Sequence, residues 1–359
     1  MKYFIHTYGC KMNVHESEKI SAMLIGAGHE KAASQTDADV LVFNTCCIRN
    51  SAELKVISHI GETIRLKKIV CVVGCLAQRD AARLKKMFPH IRVILGTHNI
   101  DRLPEAISKG KTFIEVANER TSIDEVVRAS GDCINITYGC ENYCSYCIVP
   151  YVRGKLISRD SAIIIQEFES MVAKGSGKLM WLLGQNVNSY VCPRTNIDFP
   201  ELLERLCKIK GDFKINFLSS HPKDFSKKLV DVIAKNTKVD RNIHLPMQSG
   251  CDRILTAMNR KYSVAEYKEK IDILRGQVPD VKITTDIICG FPGETEEEYL
   301  ETANVLRGIK FNAAFIFVYS RRSGTVADKM EGQIDTKTKK RRTTELVRLM
   351  REINEEVNK

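Results

Sequence analysis

The sequence predicts an α/β protein with two main parts: an amino-terminal domain built on a parallel sheet, and a partial (β/α)6 barrel after it. Short apolar runs alternate with amphipathic stretches from the first residues onward, as in parallel sheets whose strands are joined by helical crossovers. The alternation stops between residues 110 and 132 and then resumes. Six further β/α units fit into the about 190 residues that follow, which is too few for a full eight-stranded barrel.

Four segments are therefore expected along the chain. They are a parallel-sheet domain at 1–110, a linker at 111–132, the partial barrel at 133–330 and a helical segment at 331–359. Each of the two larger segments is long enough to bury a core of its own.

Composition indicates a globular protein and excludes several classes. Hydrophobic residues make up 43% and charged residues 28% of the 359 residues, and no apolar run approaches the length that spans a bilayer. The first residues show no secretory pattern, so we expect a cytoplasmic protein without membrane association. Thirteen cysteines, an odd number, favour metal or redox chemistry over a disulfide framework. The net charge of +11 suits a polyanionic partner, although a soluble basic surface explains it equally well.

Three predicted amino-terminal strands lead directly into a cysteine, and an amphipathic stretch follows each. The three runs are Tyr3–Cys10, Val40–Cys46 and Ile69–Cys75. Because the carboxyl ends of parallel strands meet at one edge of a sheet, Cys10, Cys46 and Cys75 are expected to converge there. We refer to these three residues as the strand-end triad. Any one of them alone would be interpreted as a small buried hydrophobe.

Three neighbouring cysteines are interpreted differently. Cys71 lies inside the third strand and Cys133 precedes the first strand of the barrel, so both are expected to be structural. Cys47 is ambiguous. Consecutive residues near a strand end point in opposite directions, so only one of Cys46 and Cys47 should face the triad.

A second set of cysteines lies on one short loop. Cys140, Cys144 and Cys147, the loop triad, follow a predicted strand at Ile134–Thr137 in a Cys-x3-Cys-x2-Cys pattern. A structural zinc takes four closed ligands, whereas a four-iron cluster held by three cysteines keeps one iron open for a substrate or cofactor. The spacing is typical of radical S-adenosylmethionine (SAM) enzymes. The alternative is a set of unliganded loop cysteines, or a zinc knuckle with a distant fourth ligand.

Further strands and helices follow from the same periodicity. The remaining predicted strands are 92–95, 178–183, 214–218, 241–245, 282–288 and 313–319. Two capping boxes, Ser263 with Glu266 and Thr295 with Glu298, predict helix starts, and a helical pattern runs from Lys337 onward.

Polar residues follow four of the predicted barrel strands, where core packing does not require them. They occur in the stretches 183–188, 218–222, 245–250 and 288–294. Amides, hydroxyls and backbone edges suit the amino, carboxylate, ribose and adenine groups of SAM, so these stretches predict a cofactor pocket. His221 is more readily interpreted as a hydrogen-bonded loop histidine than as a base or a ligand.

The motifs together resemble the radical-SAM methylthiotransferase family over nearly the whole chain. The resemblance rests on the segments 8–13, 44–49, 73–78, 139–154, 182–188, 219–222 and 319–325. It is greatest for the branch that modifies N6-isopentenyladenosine in tRNA. It implies that the strand-end triad holds an auxiliary [4Fe-4S] cluster, that the loop triad holds a [4Fe-4S] cluster that binds SAM, and that Gln185, Ser220 and Gln248 lie in the SAM pocket.

The resemblance also implies a reaction and partners. Cleavage of SAM would give a radical that removes the hydrogen on C2 of the adenine, and the auxiliary cluster would hold the sulfur that is methylated and delivered. A tRNA anticodon stem-loop, an electron donor such as flavodoxin or ferredoxin and a sulfur donor are the implied partners of a monomer. Aromatic and arginine side chains near Arg153 are candidates for holding the target base, which must leave its stack to react.

Three alternatives stay open. The substrate could be N6-threonylcarbamoyladenosine in tRNA, or an aspartate of a ribosomal protein, or the chain could be an iron–sulfur RNA-binding protein that no longer catalyses. The sequence also departs from the family pattern at Lys11, Ser323 and Val326. Family members continue into a small basic β-barrel called TRAM that binds tRNA, and we expect this chain to lack it, because the sequence stops at Lys359.

Overall fold

A computed structural model describes residues 1–47, 50–120, 131–175 and 177–357, with only the backbone described at 50–52 and 357. The chain forms two compact units. The first comprises Met1–Cys140 and Ile148–Arg159, and the second comprises Glu141–Cys147 and Asp160–Lys359. Residues 48 and 49 of the motif at 44–49, and residues 121–130 of the predicted linker, lie outside the described residues.

The first unit alternates strands and helices, as predicted. In its described residues these elements are β1 Lys2–Thr7, α1 Lys11–Gly26, β2 Glu30–Lys31, β3 Val40–Thr45, α2 Asn50–Glu62, β4 Ile69–Gly74, α3 Cys75–Met87, β5 Ile91–Leu95, α4 Leu103–Ser108, β6 Phe113–Glu115, β7 Cys133–Asn135, β8 Thr137–Tyr138, α5 Val149–Arg153 and β9 Ile157–Ser158. The described strands β1 to β6 form one parallel sheet in the order β2-β1-β3-β4-β5-β6. The predicted parallel-sheet domain is thereby confirmed.

Strand β3 shows why this sheet is buried on both faces. Its residues alternate sides, so that Leu41 and Phe43 pack with residues of α2 and α3, while Val40 and Val42 pack with residues of α1 and α4. All four side chains are completely buried. A continuous apolar run of this kind is typical of a central strand in a parallel sheet covered by helices on both sides.

The predicted linker at 111–132 contains structure that the sequence did not indicate. Strand β6 extends the sheet beside β5, with Val93 paired to Phe113. Phe113 packs on one of the two apolar cores, and Glu115 accepts a hydrogen bond from Arg102. These residues of the predicted linker therefore belong to the sheet of the first unit.

The second unit repeats the alternation. Its described elements are α6 Ser161–Ala173, β10 Leu179–Leu183, α7 Phe199–Cys207, β11 Lys214–Phe217, α8 Lys227–Lys235, β12 Asn242–His244, α9 Asp252–Ala257, α10 Val264–Gln277, β13 Lys282–Cys289, α11 Glu296–Ile309, β14 Ala313–Val318 and α12 Thr336–Val357. The pairs β10–β11, β12–β13 and β13–β14 are all parallel. Both capping boxes form, at the starts of α10 and α11. The arrangement confirms the predicted partial barrel.

The carboxyl-terminal segment is part of this second unit. On α12, Leu346, Met350 and Ile353 are buried, and Arg342 forms a buried ion pair with Glu294 at 2.8 Å. The predicted segment 331–359, of which 358 and 359 lie outside the described residues, thus packs on its own unit through a continuous helix. None of the helices in the described ranges is long and apolar enough to cross a bilayer.

Candidate functional sites

The strand-end triad lies just beyond three neighbouring strands of the first unit. Cys10 is the N-cap of α1, Cys46 follows β3 directly, and Cys75 is the first residue of α3 after β4. In the register of the sheet, Thr45 stands beside Gly74, so the ends of β3 and β4 are level. The parallel sheet therefore brings the three cysteines to one edge, as the sequence predicted.

Two further observations place the residues of this triad in one region. A Cβ built on Gly9 would lie 2.7 Å from the Cβ of Cys46, so the backbone next to Cys10 runs against Cys46. Burial lowers the pKa of the Arg153 guanidinium, but the charges of Cys75, Glu16 and Cys10 outweigh it and raise the pKa. Cys46 and Cys75 are buried, whereas Cys10 is exposed.

Cys47, which the sequence left ambiguous, contacts the triad as well. Its side chain is completely buried and belongs to the same apolar cluster as Cys75. The neighbouring Cys47 thiol lowers the pKa of Cys75 against the opposing effect of burial. Cys71 is buried within β4 and Cys133 is buried within β7, in keeping with the structural roles predicted for both.

A pair of asparagines joins helix α1, which follows Cys10, to strand β3, which precedes Cys46. The side-chain amide of Asn13 (Nδ2) donates to Asn44 Oδ1 at 3.3 Å and to the Thr45 carbonyl at 3.2 Å. The side-chain amide of Asn44 (Nδ2) donates to the backbone carbonyl of Asn13 at 2.8 Å and to Ser17 Oγ at 2.9 Å. Both asparagines are completely buried, so each bond is made in a low-dielectric interior where an unmade bond would be costly. The sequence analysis assigned no role to either residue.

Gly74 is required by the path of the chain into α3. Its φ of +95° is a conformation that L-residues rarely adopt, and a Cβ there would lie 2.7 Å from the Thr45 carbonyl oxygen. The glycine thus allows β3 and β4 to end close together with Cys75 directly after the turn.

Arg153 packs beside the strand-end triad in the first unit. It is the last residue of α5, its side chain is 5% exposed, and it donates to Met12 Sδ at 3.2 Å and to Glu16 Oε2 at 3.3 Å. The guanidinium of Arg153 is therefore held against helix α1, next to Cys10. That aromatic and arginine side chains near Arg153 hold the target base stays a prediction.

The departures from the family pattern are accommodated at the surface. Lys11 lies 3.5 Å from the Asp132 carboxylate, and both side chains are partly exposed. Ser323 and Val326 are exposed.

The first cysteine of the loop triad is fixed by a close approach of two backbone segments in the first unit. The Cys140 amide donates to the Gly154 carbonyl at 3.1 Å. Gly139 has a φ of +72°, and a Cβ there would clash with the Lys155 carbonyl oxygen and lie 2.5 Å from that of Gly154. Only glycine fits this close approach.

The other two cysteines of the loop triad belong to the second unit. The Cys147 amide donates to the Cys144 carbonyl at 2.8 Å, which closes a turn. Ser145 donates from its amide to the Met258 carbonyl and from its hydroxyl to the Ala257 carbonyl, at 3.0 and 2.8 Å. The loop is therefore held by the end of helix α9 and the residues after it.

His221 lies beside Cys144 and is neutral. Its Nδ1 accepts a hydrogen bond from the Lys223 amide at 3.2 Å, which leaves the proton on Nε2, 4.0 Å from the Cys144 sulfur. Burial, together with Arg260 and Lys223, lowers the pKa of His221 to about 2. The hydrogen-bonded loop histidine expected from sequence is what the structure contains.

The predicted pocket residues lie in loops at the carboxyl ends of parallel strands. Gln185 follows β10, Ser220 follows β11, and Gln248 follows β12. The loops after β10 and β11 are joined, because the His221 amide donates to Asn188 Oδ1 at 3.0 Å. Gln248 has a φ of +75° and pairs with Ile287 of β13 through a backbone bridge.

Three buried polar atoms at the ends of β10 and β11 have no hydrogen-bond partner within the described part of the chain. They are Asn186 Oδ1, Asn188 Nδ2 and Ser220 Oγ. A buried polar group normally has a partner, because leaving one unpaired costs roughly 1–3 kcal/mol. These atoms therefore fit a polar ligand at this edge, and donors and acceptors of this kind match the groups of SAM.

The cysteines fit iron–sulfur ligation through their chemistry and placement. Soft thiolates are the ligands that such clusters take, and three per cluster leave one iron open. Among the described residues, no three His, Cys, Asp or Glu side chains are already arranged around one metal position. The fit thus rests on the strand-end placement and the loop spacing of the two triads.

Comparisons with known proteins match the amino-terminal part and the barrel part of the chain to two different families. Residues 2–96 match a family described as "Uncharacterized protein family UPF0004", and residues 134–306 match the Radical SAM superfamily. Among solved structures, the radical S-adenosylmethionine methyltransferase TsrM of Kitasatospora setae, with cobalamin and a [4Fe-4S] cluster bound, has a TM-score of 0.66 at 13% identity, over 91% of this chain and 76% of that one. The radical enzyme OxsB has a TM-score of 0.62 at 8% identity, over 98% of this chain and 56% of that one. These two likenesses concern the fold alone.

Curated relatives are much more similar in sequence. The tRNA-2-methylthio-N(6)-dimethylallyladenosine synthase of Alkaliphilus oremlandii is 44% identical over 99% of this chain and 79% of its own length. The enzyme of the same name from Natranaerobius thermophilus is 43% identical over 100% of this chain and 83% of its own length. The chain belongs to the tRNA-2-methylthio-N(6)-dimethylallyladenosine synthase family.

Proposed function

We propose that this chain is a radical-SAM methylthiotransferase that adds a methylthio group to C2 of N6-dimethylallyladenosine (N6-isopentenyladenosine) next to the tRNA anticodon. The observation that carries the proposal is the 44% identity, over 99% of the chain, to a synthase of that name. The chain keeps both cysteine triads, and its strand ends carry unpaired polar atoms suited to SAM.

Each triad has its own role in the proposal. The loop triad holds the [4Fe-4S] cluster that binds SAM, and the strand-end triad holds the auxiliary [4Fe-4S] cluster. When bound, the first cluster supplies the electron that cleaves SAM, and the second holds the sulfur that is methylated and transferred. Ser220, Gln185 and Gln248 orient SAM at the strand ends. The asparagines Asn13 and Asn44 keep the loops of the strand-end triad in register.

The wider assignment follows from the same reaction. Residues 1–110, whose sheet β6 extends, form the domain of the auxiliary cluster, and residues 133–330, which include β7, β8, α5 and β9 of the first compact unit, form the radical domain. The net charge of +11 favours association with the tRNA anticodon stem-loop. The protein acts as a cytoplasmic monomer and takes electrons from a flavodoxin- or ferredoxin-type donor and sulfur from a separate source.

Nucleoside mass spectrometry tests the proposed substrate. The chain is expressed in cells whose own synthase gene has been deleted, and tRNA nucleosides are compared with those of cells expressing a variant with all three loop-triad cysteines changed to alanine. We expect the methylthio form of N6-dimethylallyladenosine to return with the unmodified chain only.

The opposite outcomes are equally clear. If the unmodified chain leaves N6-dimethylallyladenosine unthiolated and instead restores a methylthio group on N6-threonylcarbamoyladenosine, the proposed substrate is wrong and the enzyme class stands. If neither nucleoside changes although the protein accumulates and takes up iron, the proposed activity on tRNA adenosines is wrong.

A further inference from the structure

Arg260 is a buried cation that donates directly to a cysteine of the loop triad. Its side chain lies in the second unit, three residues after helix α9 ends, and is 4% exposed. Nη1 donates to Cys144 Sγ and to Tyr146 Oη, both at 3.3 Å. The motif comparison in sequence gave no role to this residue, which is 116 positions from Cys144.

The remaining donors of Arg260 hold the guanidinium in one orientation. Nη2 donates to the Pro246 carbonyl at 3.1 Å, and Nε donates to Tyr262 Oη at 3.0 Å. Tyr262 is itself fixed, because its hydroxyl donates to the Met247 carbonyl at 2.6 Å. A planar fork that meets several acceptors at once is a task for arginine, since lysine presents one point charge.

The charge of Arg260 has no carboxylate to balance it in the described part of the chain. Its acceptors are two tyrosine hydroxyls, a backbone carbonyl and the Cys144 sulfur. Burying a cation without an opposite charge is costly. Of these acceptors, the Cys144 sulfur is the one that carries negative charge when it binds metal as a thiolate, so it is the anionic partner of Arg260 in that state.

We propose that Arg260 is a positioning residue that raises the reduction potential of the cluster held by the loop triad, by donating an N–H bond to the Cys144 sulfur. The inference rests on the proposed function, because it requires a cluster on this triad. One electron from an external reductant makes the cluster more negative, with no bond made or broken in the protein. A cationic hydrogen-bond donor on a ligand sulfur stabilises that more negative state, and hydrogen bonds to the sulfurs are known to set the potentials of such clusters. His221 Nε2, at 4.0 Å from the same sulfur, is the weaker second donor.

The test measures the potential of this one cluster. Full-length protein with all three strand-end cysteines changed to alanine is reconstituted with iron and sulfide, and reduction is followed by electron paramagnetic resonance against applied potential. Arg260→Met removes both charge and donor, and Arg260→Lys keeps the charge without the fork. Arg342→Lys is the matched control, since Arg342 is an equally buried arginine of the same unit whose partners are Glu294 and Glu296.

We expect Arg260→Met to shift the ratio of reduced to oxidised cluster at least tenfold toward the oxidised form, which for a one-electron couple is about 59 mV more negative. Arg260→Lys should shift the ratio in the same direction by a smaller factor, and Arg342→Lys should leave it unchanged. Iron content is measured on every sample to show that the cluster is present.

Each remaining outcome has a distinct meaning. If the parent protein takes up no iron on the loop triad, the cluster assignment of the proposed function is wrong. If the parent titrates but Arg260→Met and Arg260→Lys keep its potential, the role of Arg260 is wrong and the proposed function stands. If both Arg260 variants lose iron while Arg342→Lys keeps it, Arg260 is needed to assemble the loop, and the inference is again overturned.

Discussion

The two cysteine triads reach their positions by different routes. The strand-end triad is gathered from residues 10, 46 and 75 by the parallel sheet, with the Asn13–Asn44 hydrogen bonds between the first two segments. The loop triad is local in sequence, and the backbone contact of Gly139 with residues 154 and 155 and the turn at Cys144–Cys147 shape it. The first site therefore depends on the folding of a whole sheet, whereas the second depends on one loop and its anchors. The difference predicts that the two sites respond differently to the same kind of damage.

The arginines that serve the two triads differ in their charge environment. Arg153 interacts with the Cys75 thiol through charge and also pairs with the Glu16 carboxylate. Arg260 donates to Cys144, and its other acceptors are uncharged hydroxyls and a carbonyl. The carboxylate balances the charge of Arg153 in part, so we expect its influence on the strand-end triad to be smaller than that of Arg260 on the loop triad.

Replacing whole triads should give the largest contrast. Changing all three loop-triad cysteines to alanine should abolish reductive cleavage of SAM, and changing all three strand-end cysteines should leave cleavage but stop sulfur insertion. Iron should fall from about eight to about four per chain in each case, because each triad holds one four-iron cluster. Iron analysis and detection of 5'-deoxyadenosine check this.

The control for this contrast is Cys71→Ala, because Cys71 is a buried cysteine of β4 outside both triads. It should keep the full iron content. About four irons in the unmodified protein would contradict two clusters, and cleavage by the loop-triad variant would contradict the division of roles.

Replacing the glycine beside each triad should give a smaller contrast, measured as loss of folding stability. At Gly139 an added Cβ meets two backbone oxygens that cannot both move, so Gly139→Ala should destabilise the fold by more than about 4 kcal/mol. At Gly74 the contact with the Thr45 oxygen is 2.7 Å, and Gly74→Ala should cost about 2–4 kcal/mol. Chemical denaturation of the iron-free protein measures both.

Gly28→Ala is the matched control for the glycines, because Gly28 has a φ of +81° with nothing within 4 Å of an added Cβ. It should show the backbone strain alone, roughly 1 kcal/mol. If Gly139→Ala is no worse than Gly28→Ala, the backbone before Cys140 tolerates a side chain and the close approach is not what fixes it.

The fold was largely predictable because periodicity is a local property. Strand β13, Lys282–Cys289, alternates buried and partly buried residues along its length, and the sequence pattern at 282–288 already indicated it. Strand β6 was missed, since three residues carry too little pattern and only the pairing with β5 fixes them. The cysteine triads were predictable from spacing and from their places at strand ends.

The residues around the triads were not predictable, because they are joined by packing over long distances in sequence. Arg153 is 137 positions from Glu16, and nothing near either residue indicates the pair. Arg260 and His221 reach Cys144 from two other loops of the second unit. Polar residues after strands could be recognised as pocket candidates, but which of their atoms stay unpaired depends on the folded loops.

Breaking the Glu16–Arg153 pair tests the charge comparison most directly. Both side chains are buried, with the carboxylate 3.3 Å from Nη2, so removing one partner leaves an uncompensated charge. Arg153→Met should lower the free energy of unfolding by about 3–4 kcal/mol, because it leaves Glu16 as a buried charge without a partner beside the thiols. Glu16→Gln should cost less, since Arg153 keeps its charge interaction with Cys75. The double variant should cost less than the sum of the two single changes, by about 1–3 kcal/mol. Denaturation of the iron-free protein measures this coupling energy.

Redox titration of the strand-end cluster measures the electrostatic part of the Glu16–Arg153 interaction. Glu16→Gln should raise the reduction potential of that cluster, because the carboxylate no longer offsets the charge of Arg153. An unchanged potential would mean that Arg153 acts on this triad through packing alone. The two arginines would then differ in kind, because Arg260 acts on its triad through charge.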